Sequence, residues 1–177
     1  VRTVSTPAST VFGTPFAFVA VIAAPSAVTA FATMHDSPGS CGYRFELSDG
    51  QTCAVCTDLG CVTPEVKKGV YGADLVLLEA NYDPNMLRNG PYPEMLQERI
   101  RGKYGHLSNG DSAGMAEALI AHGTTRLILG HLSENNNTMP LAQQTVLEHL
   151  QEQGMRRNQD FLLQVSSPEG LKQAVIF

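Results

Sequence analysis

The chain has 177 residues, of which 12 are Lys or Arg and 17 are Asp or Glu, giving a formal charge of −5. One domain of this size buries roughly 70% of the surface that its unfolded chain exposes, so neither a disulfide framework nor a structural metal is needed to hold a fold. A hydrophobic content of 43% excludes a disordered chain, the acidic balance excludes a broad basic surface, and four cysteines are too sparse for a secreted disulfide scaffold and read as reduced thiols of a cytoplasmic protein.

Charge is spread unevenly: from Thr3 to His35 there is no Asp, Glu, Lys or Arg. A membrane span is nevertheless disfavoured. The apolar run from Phe16 to Ala24 stops at Pro25, well short of the ~20 residues that a spanning helix needs, and no Lys/Arg cluster flanks it. Pro7, Pro15 and Pro25 among many Thr and Val favour extended chain. Two buried strands are predicted, Phe16 to Ala23 and Ala27 to Met34, with residues 1–26 an atypical apolar segment ahead of a domain at 27–177.

Downstream, Tyr43 to Leu47 and Thr52 to Thr57 are β-rich around Ser48-Asp49-Gly50, a hairpin signature. Thr63-Pro64 supplies a cap and first turn for a short helix ended by Gly69 or Gly72. Leu75 to Leu78 has strand length, Pro93 to Ile100 reads as a helix broken by Gly102 and Gly105, and Asp111 or Ser112 caps a further helix that stops at Gly123. Arg126 to Leu129 is a strand. Thr138 and Pro140 open a last long helix with the stripe Ala142, Val146, Leu147 and Leu150, closed by Gly154, before a final strand from Phe161 to Val165. This alternation predicts an α/β fold.

Three metal-competent side chains follow three predicted strands: His35, Asp58 and His131. Ligands of α/β sheets gather at the carboxyl ends of strands, so residues distant in sequence can converge there. Imidazole nitrogen with a carboxylate that can bridge suits zinc or manganese. Cys53 and Cys56 would point to opposite faces of one strand, which favours buried thiols over a four-cysteine zinc site. Lys67-Lys68 and Arg156-Arg157 read as solvated surface.

The stretches His35-Asp36-Ser37, Cys41-Gly42-Tyr43-Arg44-Phe45, Ala54-Val55-Cys56-Thr57-Asp58-Leu59-Gly60, Leu78-Glu79-Ala80-Asn81-Tyr82-Asp83, Gly105-His106-Leu107-Ser108-Asn109 and Gly130-His131-Leu132-Ser133-Glu134-Asn135-Asn136 occur in one fixed order. Together they resemble the later half of metallo-β-lactamase-fold hydrolases, specifically the YycJ-like or VicX-like subgroup, over roughly Ala27 to Gly154. The resemblance implies an αββα sandwich present as its carboxyl-terminal half. It gives His35 and His131 as ligands of two separate divalent ions (Zn or Mn), Asp58 as the carboxylate bridging them, and His106 as the acid near the scissile phosphate, so that Asp58 and His106 are the catalytic pair. Ser108, Ser133 and Asn136 either order the site's loops or cap the helices that follow.

The family's early His-x-His-x-Asp-His motif is absent from this sequence. Only two protein ligands remain per ion, whereas a catalytic zinc normally keeps three plus water. The resemblance therefore implies a truncated member of a phosphodiesterase family of the 5′-3′ DNA exonuclease kind. Metal binding is expected to be weak or absent and this chain inactive alone, with a nucleic-acid substrate, no membrane, and either self-association or a missing amino-terminal half as partner. The other class left open is a catalytically dead remnant that serves as a binding or assembly module.

Overall fold

A computed structural model describes residues 25–167. Three strands open it as an antiparallel meander: β1 (Ala27–Ala32), β2 (Cys41–Glu46) and β3 (Thr52–Cys56), with Ala27 opposite Glu46 and Tyr43 opposite Val55. The β2–β3 turn uses Gly50 at φ 89°, a left-handed conformation that glycine adopts without a Cβ clash. The chain then changes to parallel crossovers. Helix α1 (Pro64–Val70) leads to β4 (Leu75–Glu79), and α2 (Pro84–Asn89), α3 (Glu94–Arg101) and α4 (Asn109–Ala121) lead to β5 (Arg126–Gly130). Finally α5 (Met139–Glu152) leads to β6 (Leu162–Val165). The six strands lie in chain order, with β3 to β6 mutually parallel.

The sequence accounts for most of these boundaries. Thr63 and Thr138 accept hydrogen bonds from Val66 and Leu141 N–H, and a proline enters the first turn of each helix, where its missing N–H costs nothing. Helices α1, α4 and α5 cover one sheet face: Val66, Val70, Leu119, Val146 and Leu150 pack with Val76, Leu78, Leu127 and Leu129 in one core. Each such fully buried side chain contributes about 1.5–3 kcal/mol relative to exposure. The other face carries a smaller cluster, Cys53, Leu75, Leu77 and Ile128. Cys53 and Cys56 thus fall on opposite faces, as strand alternation requires, and all four cysteines are free thiols.

Some expectations shift. The strand predicted to reach Met34 ends at Ala32. Beyond it Thr33 bonds to Ser40 through both backbone and hydroxyl, and the Met34 carbonyl turns to accept from Gly60 N–H. Helix α4 is capped by Ser108 and not by Asp111 or Ser112: Ser108 Oγ accepts from Asp111 N–H at 3.1 Å while the Asp111 carboxylate accepts from Ser108 N–H at 3.3 Å, a reciprocal capping box. Helix α2 was not predicted, although Asp83-Pro84 is the same cap-and-first-turn pair as Thr63-Pro64. The strand expected at Phe16 to Ala23 lies outside the described residues. Among those described, no helix is long and apolar enough to cross a membrane.

Candidate metal centre

Because β1 and β3 are each antiparallel to β2, and β4, β5 and β6 follow parallel to β3, five strands run the same way and share one carboxyl edge. His35, Asp58, Glu79 and His131 occupy that edge. Asp58 and His131 adopt φ of 55° and 57°, a left-handed conformation that costs a non-glycine residue about 1–2 kcal/mol. The surroundings hold both. Asp58 N–H donates to Glu79 Oε1 at 3.1 Å and its carbonyl accepts from Ser40 Oγ at 3.4 Å. The His131 carbonyl accepts from Asn81 Nδ2 at 2.8 Å.

The side chains converge on Asp58. Its Oδ1 lies 3.5 Å from His35 Nε2 and 3.8 Å from His131 Nε2. Two ligand atoms bound to one tetrahedral ion at ~2.0–2.1 Å are ~3.3–3.5 Å apart, so the His35–Asp58 pair has the spacing of a zinc-sized ion and the His131–Asp58 pair lies slightly beyond it. The opposite ring nitrogens are already engaged: His35 Nδ1 with the Gly105 carbonyl at 2.9 Å, His106 Nδ1 with Glu79 Oε1 at 2.9 Å, and His131 Nδ1 with the same oxygen at 2.5 Å. Such bonds fix the tautomer and leave Nε2 with its lone pair toward the centre. The His106 ring stands between the other two, its centroid 4.8 Å from His35 and 5.1 Å from His131.

Glu79 is the residue that sequence reasoning missed. It ends β4, a strand buried at every position, and is itself fully buried. Its Oε1 accepts from Asp58 N–H, His106 and His131, and its Oε2 from Leu59 N–H at 3.1 Å and Leu107 N–H at 3.0 Å. Burial alone would raise its pKa, but the hydrogen bonds from His106 and His131 and their charges bring it down to about 2. Burial likewise pushes His131 down, yet the bond to Glu79 and the charges of Glu79 and Asp58 raise its pKa overall. With both oxygens saturated by five donors, Glu79 orients the histidines, although its oxygens lie within 4.8 Å of donor atoms of Asp58, His106 and His131. The signal was present in the sequence: a carboxylate directly after Leu75-Val76-Leu77-Leu78 cannot be buried without dedicated partners.

The loops that carry these groups are tightly packed. A Cβ on Gly60 would sit 2.3 Å from the Lys103 carbonyl oxygen, and one on Gly105 would sit 2.0 Å from that of Ile100. Asn109 and Asn137 exchange amide hydrogen bonds at 3.0 and 2.8 Å, and Asn137 also donates to the Ala80 carbonyl. Ser108 caps a helix, whereas Ser133 Oγ accepts from the Asn136 backbone N–H and ties its own loop. All four predicted site residues, His35, Asp58, His106 and His131, therefore meet at one place. The remaining histidines do not join them: His149 pairs with Glu117 at 2.7 Å, and His122 bonds the Ala118 carbonyl at the end of α4.

Residues 9–132 match the family model described as "Beta-lactamase superfamily domain". The exodeoxyribonuclease WalJ of Streptococcus pneumoniae (strain D39) is 34% identical over 142 residues, 80% of this chain and 52% of that protein. The exodeoxyribonuclease YycJ of Bacillus anthracis is 32% identical over 142 residues, 80% of this chain and 53% of that protein. Among solved structures, Zn-bound PqqB from Methylobacterium extorquens aligns with TM-score 0.54 and 22% identity, covering 81% of this chain and 45% of that one, a likeness of fold. The chain spans about half the length of the curated relatives it matches. With most of its residues inside the family match and two close relatives of the YycJ kind, the chain belongs to the β-lactamase superfamily and has the metallo-β-lactamase fold.

Proposed function

We propose that these residues form part of the centre of a metal-dependent phosphodiester hydrolase that cuts DNA as an exonuclease, with His35, Asp58 and His131 holding divalent ions and His106 protonating the leaving oxygen. The observation that carries this reading is the convergence of two imidazole Nε2 atoms on one oxygen of Asp58, beside a third imidazole. Zinc or manganese bound there would supply an activated hydroxide and neutralise the phosphate. Asp58, one oxygen of which faces both histidines, would be the carboxylate shared by the two ions. His106, its Nδ1–H donated to Glu79, would act as the acid in its imidazolium form, giving the proton on Nε2 to a substrate oxygen. The free thiols fit a cytoplasmic protein.

The missing His-x-His-x-Asp-His motif leaves each ion short of ligands, so we take this chain to bind metal weakly and not to turn over alone. The second reading is a binding or assembly module without catalysis. Among the described residues β1 is an edge strand with Val28 half exposed, which suits self-association. The deciding experiment mixes the chain with the first half of the WalJ relative, adds zinc or manganese, and follows end-labelled duplex DNA. Metal-dependent release of nucleotides only in the mixture is expected. Stable association with the half-protein but no cleavage under any metal would overturn the hydrolase reading in favour of the binding module.

A further inference from the structure

Next to the metal centre a groove of about 530 Å³ opens between α1, the loop after Asp58, the end of α3 and the flank of α4. Three cations line it, Lys67, Arg101 and Lys103, in a chain whose formal charge is −5. The one carboxylate among the lining residues, Asp111, is engaged in the capping box with Ser108. Among the described residues neither Lys67 nor Lys103 has an ion pair, while Lys103 Nζ lies 5.0 Å over the Tyr104 ring and Arg101 meets Glu98 at 3.8 Å. Apolar lining comes from Val62 and Met115. Its lining reaches toward the centre along the chain: Gly60 is two residues after Asp58, and Leu107 follows His106 and donates its N–H to Glu79.

We propose that this groove seats the sugar-phosphate backbone of the DNA strand adjoining the bond that is cut, with Lys67, Arg101 and Lys103 neutralising its phosphates. An acidic protein gains little from its overall field when it approaches a polyanion, so the cations that bind must be gathered locally. Here they are gathered within a volume in the range of ligand sites, beside apolar side chains that accommodate a sugar or base face. This inference rests on the DNA reading above, and deepens it by placing the substrate's path.

The test is fluorescence anisotropy of a short fluorescein-labelled single-stranded oligodeoxynucleotide with the full chain in EDTA, so that neither cleavage nor metal enters the result. Lys67→Glu with Lys103→Glu is compared with Lys68→Glu plus Arg88→Glu, which changes net charge equally outside the groove. The groove pair is expected to weaken binding at least 10-fold at low salt and to lower the slope of log K against log salt by about 1.4, roughly 0.7 per lost phosphate contact. The control pair should stay within about twofold of the unaltered chain, with thermal unfolding confirming that both variants fold. Equal losses in the two pairs, no loss in either, or no binding by the unaltered chain would overturn the groove. Loss confined to the groove pair, in a chain that never cuts DNA with the WalJ half, would keep the groove and remove the hydrolase.

Discussion

His131 Nδ1 meets Glu79 Oε1 at 2.5 Å, and that oxygen also accepts from His106, so one buried carboxylate orients a candidate metal ligand and a candidate proton donor together. The same carboxylate gathers the backbone N–H groups of Asp58, Leu59 and Leu107, which belong to both loops flanking the centre. Glu79→Gln keeps the volume but replaces one acceptor oxygen with an amide that itself donates, leaving buried donors facing a donor. Each unsatisfied buried group costs about 1–3 kcal/mol, so a destabilisation of roughly 2–5 kcal/mol is expected in urea unfolding, with Glu79→Ala at least as severe. A loss below about 1 kcal/mol would show that the loops are held by other contacts.

The metal-free chain should be most stable in a mildly acidic window. Glu79 has a folded-state pKa of about 2 against an ordinary 4.5, so its contribution is complete above 4.5 and is lost as pH falls toward 2. His131 is raised above its ordinary 6.5, so its contribution is complete below 6.5 and is lost as pH rises through its folded value. The pair is strongest between these limits, from about pH 4.5 to 6.5. Urea midpoints across pH 3–9 in EDTA should peak there, and Glu79→Gln should flatten the profile. Zinc selects deprotonated imidazole, so its addition should move the optimum upward.

Much of this arrangement was legible because strand order and residue chemistry carry it. His35, Asp58 and His131 each follow an apolar run, and parallel topology alone brings such positions to one edge. Glu79 escaped because its role is visible only through partners contributed by two other loops, at Asp58-Leu59 and His106-Leu107, which sequence spacing cannot pair. Sequence alone leaves the cap of α4 between Asp111 or Ser112 and Ser108, the last read as either a cap or a loop-ordering group; all three are capping types, and the reciprocal bond between Ser108 and Asp111 decides among them. The boundary of β1 depended on Ser40, a residue of another segment that draws Thr33 out of the ladder.

Two glycines should prove irreplaceable while a third improves on substitution. A Cβ at Gly105 would meet the backbone oxygens of Ile100 and Arg99 at 2.0 and 2.3 Å, atoms that cannot swing away, and the Gly105 carbonyl is the acceptor for His35. Gly60 is confined against the Lys103 carbonyl in the same way. Gly105→Ala and Gly60→Ala should each cost about 1–3 kcal/mol. Gly114, inside α4 with nothing within 4 Å of its Cβ position, should gain about 0.5–1 kcal/mol as alanine. Thermal unfolding of the three variants gives the ranking, and a harmless Gly105→Ala would mean that the loop before His106 can shift.

Metal titration separates the roles assigned to the four converging side chains. His35→Ala and His131→Ala each remove one Nε2 facing Asp58, and Asp58→Ala removes the oxygen that both face, so competition calorimetry with zinc should show Asp58→Ala as the most damaging of the three. Glu79→Gln leaves every donor atom in place but frees the His131 ring to turn, which should weaken binding by about 10- to 100-fold. His106→Ala should leave zinc affinity unchanged. Its effect should appear once catalysis is assembled with a complementing half: hydrolysis of DNA falls by about 10²- to 10⁴-fold, the span of one general acid. A nitrophenyl phosphodiester, whose leaving group needs no proton, should recover most of that loss. Zinc lost from His106→Ala would make His106 a ligand. An unchanged rate on DNA would reduce it to a loop histidine whose bond to Glu79 serves packing alone.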